Sequence, residues 1–421
     1  MKLRRNLNLL DATAVGVGAI IGAGIFVVLG LALGYAGPSV VVSIIIAGVV
    51  ASFTAFSFAE LGSAIPKEGG AYEYSLELIS PFAGFAVGCL WLSAQVVAGA
   101  AISLGFAGYF VSVFPGLPIK TVAITVALML TVLNLVGAKQ STFVNNVFVF
   151  IKVAVLALFI GFGLFQMNLQ DFSDFSPHGP VGVLQGAGFI FFAFLGFGRV
   201  ATLGEEVKNP ERNLPLAILT ALAVSVVVYV LTALAAAGLQ DYRVLAQSGS
   251  PIAEAATATG NFTLVAAVSF GALIATASVL LTNLLGVSRV AFAMARNGQL
   301  PKSAAKVSSR FGTPHVSIIA SGVLLTALTC FLDLRQAAAI TSFSLLCVHL
   351  AVNFCAFRLR KKMQTSGKFK MPFYPAIPLL GFFSCFVLMF SLPQESWIVT
   401  AAIVAASAVL YLLGTRAKRL P

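Results

Sequence analysis

Two basic side chains lie inside long apolar stretches, where a charge is costly. Lys152 lies in Phe-Val-Asn-Asn-Val-Phe-Val-Phe-Ile-Lys-Val-Ala-Val-Leu-Ala-Leu-Phe, and Arg199 follows Phe-Phe-Ala-Phe-Leu-Gly-Phe-Gly. A lysine at the centre of a membrane helix costs about 2.5–3.5 kcal/mol on insertion scales. An amine that binds and releases a proton beside a cavity suits proton coupling, and this is the role we predict for Lys152. The alternative is a permanent ammonium that ties helices together.

Two glycine-containing segments could supply exposed backbone groups. Gly18, Gly22 and Gly24 fall within seven residues, and the segment 191–198 ends in Leu-Gly-Phe-Gly. Where a helix is interrupted, freed amides favour a carboxylate and freed carbonyls accept hydrogen bonds from an ammonium. An α-amino acid carries both groups. The alternative is helix packing, because small residues four apart commonly seat a neighbouring helix.

The composition identifies the solvent around these residues. The chain has 421 residues, 59% hydrophobic and only 10% charged, with a net charge of +12. So much apolar surface with so little charge excludes a soluble enzyme and a disordered chain. The five cysteines form no C-x-x-C pair, which argues against a disulfide framework. We expect the lipid bilayer to surround the protein and no nucleic acid to bind it, because the basic residues lie in short gaps between apolar runs.

Apolar runs of about 20 residues predict an all-α integral membrane protein with twelve transmembrane helices. Of the 26 Lys and Arg residues, 21 fall at the ends or in loops on one side and three in loops on the other. The positive-inside rule therefore predicts a multi-pass protein of the cell membrane with cytoplasmic N- and C-termini. The expected spans are roughly 11–33, 39–64, 82–113, 120–137, 144–166, 181–203, 215–238, 262–290, 315–332, 338–357, 373–392 and 396–414.

The two glycine segments lie in the first and sixth spans, five helices apart. A repeat of five helices inverts its orientation in the membrane. Interrupted spans at matching places in two inverted halves are typical of a transporter's binding site. We therefore favour binding over packing for these segments. The predicted layout is one permease domain over 1–421, with repeats at about 11–166 and 181–357 and extra helices at about 373–414.

Four stretches, at 16–26, 59–74, 204–215 and 289–301, resemble the amino acid–polyamine–organocation (APC) superfamily of permeases. They read Gly-Val-Gly-Ala-Ile-Ile-Gly-Ala-Gly-Ile-Phe, Ala-Glu-Leu-Gly-Ser-Ala-Ile-Pro-Lys-Glu-Gly-Gly-Ala-Tyr-Glu-Tyr, Gly-Glu-Glu-Val-Lys-Asn-Pro-Glu-Arg-Asn-Leu-Pro and Arg-Val-Ala-Phe-Ala-Met-Ala-Arg-Asn-Gly-Gln-Leu-Pro. The resemblance implies a LeuT-like 5+5 inverted repeat with broken helices 1 and 6. It also implies secondary active transport of amino acids or related organocations.

The same resemblance implies where a substrate binds. The substrate carboxylate would meet the backbone of Ile21, Gly22, Ala23 and Gly24. Its α-amino group would meet carbonyls near Phe191, Phe194 and Leu195, under an aromatic gate formed by Phe192 or Phe191. The alternative for these phenylalanines is packing bulk or a lipid-facing position.

Some members of the superfamily carry a lysine in the fifth span, where sodium-coupled relatives bind a sodium ion. The resemblance gives Lys152 this place, with the backbone near Gly16 and Ser278 as partners and, more weakly, Thr276. It implies protons rather than sodium as the coupling ion, and we expect no metal and no cofactor.

Arg199 departs from the family, in which many members carry a neutral or acidic residue at this place. If it faced the cavity, its charge would disfavour substrates with cationic side chains. We favour the alternative that it pairs with an acid such as Glu60, Glu205 or Glu206.

Proton symport of neutral amino acids is the function that the sequence favours. The runner-up is an exchanger of cationic amino acids or polyamines on the same fold. A channel would favour a continuous polar stripe, and an enzyme would show clustered His, Asp or Glu residues. Neither pattern is evident in the sequence, and no P-loop for ATP appears.

Overall fold

The computed structural model describes residues 7–67, 69–137, 142–201, 206–308, 311–362 and 369–417. Within these ranges the chain forms seventeen α-helices. They are α1 (Leu9–Ile20), α2 (Leu29–Ala36), α3 (Val40–Ala64), α4 (Ala71–Leu78), α5 (Pro81–Val113), α6 (Ile119–Leu135), α7 (Thr142–Gln166), α8 (Gly179–Ile190), α9 (Phe197–Ala201), α10 (Pro210–Leu239), α11 (Tyr242–Gln247), α12 (Pro251–Thr257), α13 (Phe262–Arg296), α14 (His315–Phe331), α15 (Leu334–Lys362), α16 (Ala376–Met389) and α17 (Gln394–Ala417).

Local sequence explains where several helices begin. Asn8 and Asp11 form a capping box at α1, in which the Asn8 side chain accepts from the Asp11 amide at 2.9 Å and Asp11 accepts from the Asn8 amide at 3.2 Å. The Ser80 hydroxyl caps α5, and prolines occupy the first turns of α5 and α10. Proline suits that position because its missing amide would have no partner there.

Eight helical segments of the described chain are long and apolar enough to cross a membrane. The first covers 56 residues, Leu9–Ala64, and includes two of the spans expected from the sequence. Three shorter apolar helices, α6, α14 and α16, coincide with three further expected spans. The all-helical membrane architecture is therefore confirmed for the described residues, and the division into twelve spans stays a prediction.

Both glycine-containing segments interrupt their helices. After α1 ends at Ile20, Ile21 is extended (φ −74°, ψ 103°) and Gly24–Val28 forms a π-helical stretch before α2. In the later segment, α8 gives way to a 3₁₀ turn at Phe191–Phe194, and α9 begins at Phe197. Each interruption lies where the glycine pattern predicts it.

The interrupted segments lie at the centre of the helix bundle. The π-helical stretch of the first contacts the 3₁₀ turn of the second. Around them, α1 packs on α7, α9 and α10, while α13 packs on α5, α7 and α14. Unwound backbone is tolerated at this depth because protein rather than lipid surrounds it.

Candidate functional site

The two interruptions meet at very close range. A Cβ atom on Gly24 would overlap the backbone of Ala193, and one on Gly196 would overlap the backbone of Ala19. Gly18 and Gly22 lie against Val149 of α7 and Val279 of α13. The glycines therefore also seat neighbouring helices, as the packing alternative requires.

A tyrosine that the sequence did not single out joins the two interruptions. The buried hydroxyl of Tyr229, on α10, contacts the carbonyl oxygens of Ile20 at 2.6 Å and Ala193 at 3.1 Å. Ile20 is the last residue of α1, so this carbonyl is one of those freed by the helix end. Tyr229 lies ten residues before the end of α10, a helix of ordinary apolar pattern, and nothing in the local sequence marks it.

The phenylalanines of the 3₁₀ segment are buried, so the lipid-facing alternative is wrong for them. The rings of Phe191, Phe192, Phe194 and Phe197 are 0–3% exposed. Phe191 packs edge-on against His349 at 5.4 Å between centroids, and Phe194 packs against Tyr229 at 5.4 Å.

A cavity of about 10 Å³ lies between the interruptions. Four of the predicted substrate-binding residues, Ala23, Gly24, Phe192 and Leu195, line it. The other four, Ile21, Gly22, Phe191 and Phe194, are buried around it without contributing to the lining that the structure describes. The full lining is Ala19, Ile20, Ala23, Gly24, Ile102, Phe192, Ala193, Leu195, Arg199 and Val279.

Lys152 is fully packed against the end of α1. Its side chain is 2% exposed, and Nζ donates to the Gly18 carbonyl oxygen at 2.9 Å. The sequence placed this partner near Gly16, two residues earlier. On a helix, two residues correspond to about 200° of rotation, and Gly16 accordingly faces Val200 and Ala221 rather than α7.

Ser278 lines the same cavity as Lys152, but its hydroxyl does not hydrogen-bond to the lysine. The Ser278 hydroxyl donates to Ala275 within its own helix at 2.9 Å, and Thr276 donates likewise to Ala272 at 2.7 Å. The shared cavity has a volume of about 200 Å³. Its lining comprises Leu7, Val15, Gly18, Ala19, Asn145, Lys152, Arg199, Glu206, Ser278, Thr282, Leu285, Gly286 and Arg289.

The chain before α1 is tied to the segment before α10 at this cavity. The Leu7 amide donates to the Glu206 carbonyl at 3.1 Å, and the Lys208 amide donates to the Leu7 carbonyl at 2.8 Å. The Glu206 carboxylate binds Arg289 of α13 at 2.8 Å. These contacts join three segments where the cavity approaches the protein surface.

The profile of the amino acid permease family matches residues 11–412, nearly the whole chain. The chain belongs to the amino acid permease family. A methylthioribose transporter of Bacillus subtilis is 33% identical, over 98% of this chain and 94% of its own length. A branched-chain amino acid permease of the same organism is 31% identical, over 98% and 94%. Cationic amino acid transporter 4, vacuolar, of Arabidopsis thaliana is 32% identical, over 85% of this chain and 64% of its own.

Membership of this family confirms the resemblance to the APC superfamily. The family and these relatives are transporters, so the expectation that this permease is not an enzyme is also confirmed. The all-helical membrane architecture described above is consistent with this membership.

In this permease, Arg199 binds amides rather than the described acids that we expected. Its Nη2 donates to Gln95 Oε1 at 2.9 Å and to Asn283 Oδ1 at 2.8 Å. Glu206 binds Arg289, as described above, and Glu205 lies outside the described residues. The pairing expected from the sequence is therefore wrong for Glu60 and Glu206, because the fold brings other arginines to these carboxylates.

Glu60 forms a separate ionic cluster in the permease. Its carboxylate accepts from Arg360 Nε at 2.7 Å, from Arg360 Nη2 at 3.2 Å and from the Met371 amide at 3.1 Å. The Arg360 guanidinium lies over the Tyr374 ring at 4.1 Å. This cluster joins α3, α15 and the segment that precedes α16.

Proposed function

We propose that this permease imports amino acids by proton symport, with Lys152 as the proton-coupling group. The single observation that carries the proposal is the position of this amine. It is buried, it binds the end of α1 just before the interruption, and it lines the cavity of about 200 Å³. A lysine amine is a compact charge that can be gained or lost. A change in the charge of Lys152 would alter the strength of its hydrogen bond to Gly18 of α1. Proton binding would thereby be linked to movement of the first span.

We further propose that the substrate binds between the two interruptions. Tyr229 already places a hydroxyl hydrogen-bond donor on the Ile20 and Ala193 carbonyls, which are the kind of acceptor that an α-ammonium needs. The surrounding side chains are largely apolar and aromatic, and this favours neutral amino acids by complementarity. The relative named as a branched-chain amino acid permease supports the same substrate class.

The arrangement that we propose for the bilayer is a twelve-span LeuT-like permease with both termini in the cytoplasm. Its support is the 56-residue first segment, because a span needs about 20 residues and this segment is long enough for two crossings. Together with the seven other long segments and the three shorter helices it provides twelve crossings. The excess of basic residues on one side supports this orientation in the cell membrane.

The test is uptake of a radiolabelled neutral amino acid into proteoliposomes, with and without an inward proton gradient. We expect Lys152→Ala to reduce gradient-driven uptake by about tenfold or more, because a hydrogen bond to a charged group is worth roughly 1.5–3 kcal/mol. The matched control is Lys120→Ala. This exposed lysine donates to the Cys330 carbonyl at 2.7 Å, far from both interruptions in sequence.

Unchanged acid-stimulated uptake by Lys152→Ala would contradict the proposal. A sodium gradient that drives uptake in place of protons would contradict the choice of coupling ion.

Exchange of cationic amino acids is the second candidate, and the relatives named as cationic amino acid transporters favour it. Counterflow distinguishes the two mechanisms. An exchanger requires substrate inside the vesicle, whereas a symporter accumulates substrate into empty vesicles when only a pH gradient is present.

A further inference from the structure

We propose that the cavity of about 200 Å³ beside Lys152 is a second binding site for the amino acid substrate, at which Lys152 holds the substrate carboxylate. The inference rests on the proposed function, because it takes the space between the two interruptions as the first binding site. It goes further by giving the substrate a separate position on its way through the protein.

The two cavities adjoin each other. Ala19, in the last turn of α1, lines both of them, and so does Arg199 of α9. The space between the interruptions is about 10 Å³, whereas the cavity beside Lys152 is about 200 Å³. The larger cavity extends to the ion pair of Glu206 and Arg289, whose side chains are 25% and 40% exposed. A substrate that leaves the interruptions toward this surface therefore passes Lys152.

Lys152 supplies the group that recognises a carboxylate. An ammonium carries three N–H donors, and the acceptor that the described residues give Lys152 is the Gly18 carbonyl oxygen. Two donors are left for a ligand, on a side chain that lines the cavity and is 2% exposed. A hydrogen bond between an ammonium and a carboxylate is about twice as strong as one between neutral groups. The amine is therefore complementary to the negative end of an amino acid.

The acid that lines this cavity does not occupy Lys152. The charged side chains that face the cavity from the surrounding elements are Arg199 of α9, Glu206 before α10 and Arg289 of α13. The Glu206 carboxylate binds Arg289 at 2.8 Å, and the described residues give Lys152 no ion pair. Because a buried charge is costly unless it is paired, an anion that reaches Lys152 is stabilised there.

Neutral polar side chains complete the lining. Asn145 lies two turns before Lys152 on α7, and Ser278 and Thr282 lie about one turn apart on α13. The Ser278 hydroxyl donates to the Ala275 carbonyl at 2.9 Å, and the Thr282 hydroxyl donates to the Ser278 carbonyl at 3.0 Å. Since a hydroxyl that donates can still accept, both oxygens are available to an α-ammonium. The cavity thus offers partners for both charged groups of an amino acid.

The experiment measures the KM for exchange of radiolabelled leucine from each side of the membrane, in right-side-out and inside-out vesicles without any ion gradient. Asn145→Asp places a carboxylate in the lining, where it repels the substrate carboxylate and competes for Lys152. The KM from the side on which Glu206 lies, the cytoplasmic side in the proposed orientation, should rise about tenfold, and the KM from the opposite side should change by about twofold at most. The matched control is Asn146→Asp, the same change at the next residue of α7, which is outside the described lining and should leave both values unchanged.

A second variant covers the case in which Asn145→Asp does not fold. Thr282→Asp brings a carboxylate into the same lining from α13 and should raise the KM on the same side only. In either variant, a KM that is unchanged on that side, or that rises equally on both sides, would overturn the inference. So would an equal one-sided rise in Asn146→Asp. Failure of proton symport would appear instead as uptake that does not respond to a proton gradient, which this gradient-free measurement does not read.

Discussion

Two ionic sites in this permease are built in opposite ways. At the Glu60 cluster, a carboxylate with no exposure meets a guanidinium through two hydrogen bonds and accepts a backbone amide as well. At the centre of the bundle, the Lys152 amine donates to the carbonyl oxygen of Gly18, which is neutral. The first site compensates its buried charge with an opposite charge, and the second holds the lysine charge by a backbone dipole.

The difference indicates a division of roles. Breaking a buried ion pair leaves an uncompensated charge and is strongly destabilising. A cation held by neutral oxygens gains less, so it contributes less to stability, and its charge remains available to act on a substrate or a proton. The Glu60 cluster is therefore suited to holding α3 and α15 together, whereas the Lys152 charge is available for the proton-coupling role proposed above.

The largest expected effect is at Glu60. Glu60→Ala removes the partner of Arg360 and should lower the free energy of unfolding by about 3–5 kcal/mol. Thermal denaturation of purified protein measures this loss. Uptake per folded molecule should stay near the wild-type value, and the double variant Glu60→Leu, Arg360→Met should recover much of the stability. A folded, fully stable Glu60→Ala protein would remove the contrast between the two sites.

The variant Lys152→Met tests whether the central lysine contributes less to stability than the Glu60 cluster does. Replacing a buried cation with an apolar side chain of similar length removes its desolvation cost, so we expect the melting temperature to stay or to rise. The expected change in unfolding free energy is within about 2 kcal/mol of zero or stabilising. A fall as large as that of Glu60→Ala would instead identify Lys152 as a structural ammonium that ties helices together.

The smallest effect is at an exposed ion pair, Lys67 with Glu77, which lies outside the spans. The hydrogen bond that Lys67 Nζ donates to the Glu77 carboxylate raises the pKa of Lys67 above its ordinary value. The pair therefore stabilises the folded protein below the ordinary lysine pKa, and this contribution is lost as pH rises through the raised pKa. Since the Lys67 side chain is 51% exposed, Lys67→Met should cost less than about 1 kcal/mol. Melting curves at neutral and strongly alkaline pH would show a larger difference between wild type and variant at neutral pH.

Features that depend on neighbouring residues were predictable from the sequence. Apolar runs located helices such as α5 and α13 closely, because a membrane segment must satisfy its backbone within itself. Both interruptions fall at the glycines, since glycine weakens a helix wherever it lies. The short helices α4, α11 and α12 were not predicted, because their sequences lack a long apolar run.

Features that depend on distant partners were not predictable. Arg360 is 300 residues from Glu60 in the chain, and the hydroxyl of Tyr229 is 209 residues from the Ile20 carbonyl that it contacts. Composition and spacing do not determine such pairings, which follow from how the helices pack. The same holds for Lys152, whose depth in the membrane was predicted while its acceptor, Gly18, depends on the rotation of α1.

The narrow space between the interruptions has a consequence for kinetics. The cavity there has a volume of about 10 Å³, which is close to the space that one water molecule needs. Pockets that bind ligands commonly have volumes of roughly 300 Å³ or more. In the binding mode proposed above, an amino acid cannot enter until the two interruptions separate, so its association is limited by that opening rather than by diffusion. In a stopped-flow experiment the observed binding rate should therefore level off as substrate concentration rises, and the plateau would give the frequency with which the protein opens.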